Sequence, residues 1–335
     1  MKISTIDHQG VAQLAAASPS GRGMLLLNPA LAAATLGTAP LSMRALIAGG
    51  PELLTQVRRA LDYAEAAPVS EAYVREDMIT WLPPVPDPTK IIGVAMNNTR
   101  LNNTAHVEPA GPMFFLKPPS SLIGHGADIE IASDYGFTFP ELELGLVIGK
   151  RAKRVSLDDA LNYVFGYTIV DDITSQGLKR GDSIAVDVTQ EQKHSPGYQS
   201  YFDWRREHGE DDLSVYLTYH ARSKGADTFG PMGPYITTAD EIADPDALGV
   251  RGYADGEEFA SDTTANYSYP VRKIIAHASR YFTLEPGDII SCGTAARGNA
   301  RFPRAHHEID MSRLTPRIDI EIDGLGRLSN KVTHV

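Results

Sequence analysis

The stretch from Phe139 to Thr174 constrains this chain more than any other part of it. It opens Pro140-Glu-Leu-Glu-Leu-Gly-Leu-Val-Ile-Gly-Lys150 and, after a linker, resumes Gly166-Tyr-Thr-Ile-Val-Asp-Asp-Ile173. In the first half Glu141, Glu143 and Gly145 alternate with Leu142, Leu144 and Leu146. A period of two predicts a strand, which sends residues i and i+2 to the same face. Glu141 and Glu143 are then neighbours on one side, and carboxylates that close repel unless a cation or a proton lies between them. The second half is a β-rich run ending in Asp171 and Asp172. A regular strand turns these two to opposite faces, and Asp172 beside the glutamates brings three oxygen donors together. Such a set suits a hard divalent ion with positions left for water and substrate. The competing reading is a solvated strand face, the usual place for Glu-x-Glu.

These residues resemble the signature of the fumarylacetoacetate hydrolase family: Glu-x-Glu-Leu, a Val-Ile-Gly-Lys turn, then Gly-Tyr-Thr with an Asp after it. Further matches come in order along the chain: Phe115-Leu-Lys-Pro118, Lys224-Gly-Ala-Asp-Thr-Phe-Gly, Thr283-Leu-Glu-Pro-Gly-Asp-Ile-Ile-Ser-Cys-Gly-Thr294, and a closing pair of strands through Gly324-Leu-Gly326. Separated motifs in the right order are more specific than any one of them. The resemblance implies an α+β, predominantly β chain: a mixed β-sheet roll catalytic domain over residues 86–335 and a smaller N-terminal α/β domain over residues 1–85. It implies that Glu141, Glu143 and Asp172 hold Mg²⁺ or Mn²⁺, with Ca²⁺ as an alternative. Lys224 would sit over the metal against the substrate's enolate or carboxylate oxygen, where a cation lowers the energy of developing negative charge. Thr294, Gln176 and Lys117 are the expected substrate-side residues. A homodimer is implied as well.

The chain departs from the family in two places. Many members carry Asn-Tyr-x-x-His-x-x-Glu after the first catalytic-domain strand, a base and its orienter. Here Leu101 and Thr104 take those positions, and neither can act as a base. His106, with Glu108 as its orienter, is the nearest substitute. Gln176 stands where many members have Arg. The implied activity is divalent-metal-dependent hydrolysis of a C–C bond in a small 1,3-diketo or acylpyruvate-type acid through a metal-stabilised enolate. The alternatives are a decarboxylase, tautomerase, isomerase or hydratase acting on a 2-oxo acid without the dyad, or a metal-binding member without chemistry.

The net charge of −11 over 335 residues argues against nucleic acid, which needs a basic surface. One cysteine, Cys292, excludes an internal disulfide, fits a reducing compartment and reads as a small buried hydrophobe. No long apolar run predicts a membrane span, and a cytoplasmic location is expected. Pro83, Pro84, Pro86 and Pro88 mark an extended connector at the domain boundary. Ser42–Leu46, Glu52–Ala66 and Val271–Tyr281 read as helices, and Lys90–Met96 and Pro112–Pro118 as strands. Residues 177–222 are a polar insertion, read equally as a lid, an oligomer contact or decoration. His306 and His307 read as a surface pair.

Overall fold

The computed structural model describes residues 1–66, 72–103, 107, 109–203, 205–206 and 208–335, without the side chain of Asn102. His106 and Glu108, the substitute base and orienter, lie outside the described residues, as does Thr104.

Two sheets frame the molecule. The larger is mixed, and its main path runs Tyr73–Val74, Met24–Leu26, Val11–Ala17, Lys2–His8, Gly230–Thr238, Val164–Asp171, Leu142–Ile148, Ile289–Thr294, Ile91–Ala95, Met113–Lys117. The second runs Glu257–Thr263, Gly249–Ala254, Arg317–Ile322, Gly326–His334, Ile129–Ile131. Mixed sheets with few helices are the expected α+β, predominantly β architecture. The N-terminal strands add directly to the larger sheet, through antiparallel pairing of Ile3 with Ile236. Residues 1–85 also share a core with the later strands: Leu25, Leu27, Met43, Leu46, Val57 and Leu61 pack with Val147, Ile236 and Ile289.

The strand Leu142–Ile148 is buried along its whole length. Its alternation separates two apolar layers rather than core from water. Leu142, Leu144, Leu146 and Ile148 enter the core between the sheets, with Ile169, Phe259 and Ile320. Val147 enters the other layer, under the N-terminal helices. A strand covered on both faces has no solvated side, so the solvated reading does not apply to Glu143, while Glu141, just before the strand, is half-buried. The pairing Leu142↔Asp171 and Glu143↔Thr294 fixes which neighbours the acids meet.

The expected helices and strands form with small boundary shifts: Met43–Ala48, Gly50–Ala66 and Val271–Tyr281, then Ile91–Ala95 and Met113–Lys117. Asp255 and Gly256 turn the hairpin of Gly249–Ala254 with Glu257–Thr263, both at positive φ (49° and 83°). The polar segment after Gln176 is an arm: a hairpin of Ser183–Asp187 with Ser214–Thr218, short helices, and its own small core of Val188, Phe202 and Val215. Among the described residues no helix is long and apolar enough to cross a membrane. Cys292 is buried and free, as expected.

Candidate metal centre and catalytic pocket

Glu141 stands one residue before its strand and Glu143 within it, while Asp172 comes immediately after the neighbouring strand. The Asp172 N–H donates to the Glu141 carbonyl at 2.9 Å, locking the two strand ends together. Glu141, Glu143 and Asp172 each bring a carboxylate oxygen to within 4.8 Å of the others. Asp171 turns the other way, as strand alternation demands, and accepts from the Glu141 N–H at 2.9 Å.

Every acid of the cluster is held. Thr174 Oγ1 donates to Glu141 Oε1 at 2.5 Å. Ser291 Oγ and the Gly293 N–H donate to Glu143 Oε2 at 2.6 and 3.0 Å. Gly293 has φ +115°, and a Cβ there would lie 2.6 Å from Cβ of Asn97, so only glycine can present this amide. Lys117 Nζ donates to Asp172 Oδ1 at 2.6 Å and to the Phe229 carbonyl at 3.0 Å, and also meets the Lys224 carbonyl. Lys224 Nζ bridges Glu141 Oε1 at 2.9 Å and Asp172 Oδ2 at 2.5 Å.

Three carboxyl groups thus face two lysine side chains inside the protein. Burial, reinforced by the charges of Asp172 and Glu141, pushes Glu143 up to about 8. Burial acts on Glu141 in the same sense, but Lys224 and Thr174 hold it below the usual carboxylate range. Lys224, despite burial, is raised by Asp172 and Glu141 and stays charged. An all-oxygen donor set, in which a cation would displace the proton of Glu143, fits a hard divalent ion. The residues present therefore suit Mg²⁺, Mn²⁺ or Ca²⁺.

The cluster forms the floor of a cavity of about 530 Å³. Thr294 and Gln176 line it with the three acids and Lys224, while Lys117 lies beneath, behind Asp172. Met113, Phe114, Phe115 and Leu101 form an apolar wall, and Lys224 Nζ lies 4.9 Å from the Phe115 ring centroid. The loop bearing Leu101 is anchored by Asn97, whose amide donates to the carbonyls of Cys292 and Tyr269 at 2.6 and 3.1 Å, and continues as a short helix, Thr99–Asn102.

Sequence reasoning missed the cationic and imidazole rim: Lys179, His220, His306 and His307 also line the cavity. The expected surface pair is corrected for His306, which is only 2% exposed. The turn Ala305–Glu308 folds it inward against Phe139, with ring centroids 5.5 Å apart, and burial pushes it down to about 3. His307 remains exposed, at the cavity mouth. Nothing local marked these residues, because they reach the cavity from three separated segments: the short helix Gln176–Gly181, the residue before Ala221–Gly225, and the turn Ala305–Glu308. Thr174 and Ser291 were legible only as residues beside recognised ones.

Fold and site together define a buried carboxyl cluster, suited to a divalent cation, at the floor of an apolar pocket. Residues 90–333 match the C-terminal domain model of fumarylacetoacetate (FAA) hydrolase, and the chain belongs to this family. Curated relatives include the oxaloacetate tautomerase YisK of Bacillus subtilis, 28% identical over 89% of this chain and 88% of the relative. The mitochondrial oxaloacetate tautomerase FAHD2A of Bos taurus is 29% identical over 94% of this chain and 85% of the relative. Among solved structures, maleylpyruvate hydrolase from Sphingobium sp. SYK-6, in complex with manganese(II) and pyruvate, is 25% identical. It superposes with a TM-score of 0.68 over 100% of this chain and 99% of that one.

Proposed function

We propose that the protein is a divalent-cation-dependent tautomerase of a small 2-oxo dicarboxylic acid of the oxaloacetate type. The observation that carries this reading is Leu101, an apolar side chain in the pocket wall where hydrolytic members carry the water-activating histidine. Two tautomerases among the relatives that align over most of the chain support it. Keto–enol exchange needs a stabilised enolate and a proton carrier, but no activated water.

Glu141, Glu143 and Asp172 hold the cation, which when bound supplies Lewis-acid stabilisation of enolate charge. Lys224 Nζ, kept charged by its acids, donates to the oxygen on which negative charge develops. We assign His307 to take the proton from the substrate carbon and return it. Partial desolvation of its ring in the pocket, helped by Arg304 and opposed by Glu141, keeps this imidazole's pKa below its ordinary value, which favours the neutral form able to accept. Thr294 and Gln176 offer hydrogen bonds to the substrate carboxylates, with Lys179 as their cationic neighbour. Met113, Phe114 and Phe115 keep water from the enolate. Lys117 acts through Asp172, fixing its orientation.

A second reading, hydrolytic C–C cleavage, draws on the same His307, a base at the open mouth where water enters, and on the likeness to maleylpyruvate hydrolase. The test monitors the ultraviolet absorbance of enol-oxaloacetate and of an acylpyruvate with Mg²⁺, Mn²⁺ or chelator. Cation-dependent enol–keto exchange far above acylpyruvate hydrolysis supports the proposal, and the opposite ranking overturns it. Lys224→Met is expected to lower kcat/KM by about 10²–10³-fold, the cost of one oxyanion donor.

A further inference from the structure

The helix Val271–Tyr281 borders a second cavity that has no part in this chemistry. Its buried face carries Val271, Ile274, Ile275 and Ala278, and Lys273, His277 and Arg280 turn the other way. With Arg154 they line an open groove of about 520 Å³ that contains no acidic side chain. Among the described residues no carboxylate forms an ion pair with Arg154, Lys273 or Arg280. Arg272, on the same helix, differs in having Asp246 nearby. Uncompensated cations in one groove are conspicuous on a chain of net charge −11, since each raises the energy of the next. The repulsion registers on His277, where burial first and then Arg280 and Lys273 depress the pKa.

The groove is also built rather than incidental. Arg154 has φ +54°, a left-handed conformation that non-glycine residues rarely adopt. Two bonds hold it there: its N–H donates to the Ser279 carbonyl at 2.8 Å, and the Val155 N–H to Ser279 Oγ at 3.0 Å. Lys273 Nζ is steadied 4.6 Å from the Tyr269 ring centroid. His277 packs 5.7 Å from Phe114, so an occupant of the groove lies one side chain from the catalytic wall. Two guanidinium groups, an ammonium and an imidazole around one opening match the several oxygens and double charge of a phosphate better than a single carboxylate.

We propose that this groove is a binding site for a phosphate dianion, free or as the monoester of a small molecule. The site is separate from the catalytic pocket, and its test needs no turnover, so it stands or falls apart from the tautomerase reading. Inorganic phosphate and glycerol phosphate are titrated calorimetrically into the Mn²⁺-loaded protein and into Lys273→Glu/Arg280→Glu and Glu143→Ala variants. The double reversal is expected to weaken binding by about tenfold or more, the worth of a charge-assisted hydrogen bond. Glu143→Ala is expected to leave it unchanged. Equal affinities for the two probes identify free phosphate as the ligand, and tighter glycerol phosphate identifies a monoester; either supports the site. Wild-type affinity in the double variant overturns it. So does loss of binding in Glu143→Ala, which would move the anion to the catalytic pocket. A change of oligomeric state in the double variant, seen by sedimentation, also overturns it, because the groove would then be a contact between copies.

Discussion

The floor and the rim of the catalytic pocket are built by opposite means. The floor sets carboxyl groups at the adjoining ends of adjacent strands of one sheet, two of them fully buried, and each has a fixed partner. The rim comes from the segments that flank the Ser183–Thr218 arm and from the turn at Ala305, and includes exposed His307. The difference shows where this fold keeps chemistry and where it allows variety. A buried charge cluster tolerates no loss of a partner, because the charge left behind cannot reach water. Rim residues can change at little cost to stability, so they are where members of one family can diverge in substrate and reaction.

Four measurements sharpen or break this contrast. The largest effect is expected from Glu143→Ala. Losing a supporting partner of a metal ligand costs about 10–100-fold in affinity, and losing the ligand itself should exceed that. Mn²⁺ calorimetry showing unchanged affinity would remove Glu143 from the site. Next is Lys117→Met, which leaves Asp172 buried against only one ammonium. A drop of about 3–5 kcal/mol in denaturant unfolding is expected. Saturating Mn²⁺ should recover part of it by supplying the missing positive charge. A loss no larger than that of an exposed lysine would mean that the floor is not held by its pairs.

Smaller effects belong to the rim. Replacing the arm between Ile184 and Leu217 with a short Gly-Ser linker should change global stability by less than about 1 kcal/mol, because its core is its own. KM should rise instead, since Lys179 and His220 flank the arm and line the pocket. A collapse of the whole fold would show that arm and floor are one cooperative unit. The mildest test is pH. Burial holds His306 at about 3, below an unfolded imidazole near 6.5, so between these values the unfolded chain binds the extra proton. Stability should therefore rise with pH across that window, and His306→Gln should flatten the slope. An unchanged slope would place His306 in water.

Much of the floor was legible in the sequence. The alternation of Glu141, Leu142, Glu143 and Leu144 gave strand and side together, because a pleat repeats every two residues regardless of context. The adjoining Asp171-Asp172 pair likewise sent one acid to each face. The amphipathic pattern of Val271–Tyr281 gave its helix to the residue. Element boundaries elsewhere moved by only a few residues, as at Met43–Ala48 and Gly50–Ala66.

The sequence by itself determined the features that depend on near neighbours: strand, helix and the shared face of two glutamates. The tertiary structure decided the rest. It covered the Glu143 strand on both faces, which turned an ordinary acidic pattern into a buried cluster. It joined the N-terminal strands to the same sheet through Ile3 and Ile236. It folded His306 inward from a stretch that reads as surface, and gathered Lys179, His220 and His307 around one opening from segments far apart in the chain. Local periodicity carries no information about contacts of that range, because they are set by how whole layers pack and not by the rotation from one residue to the next.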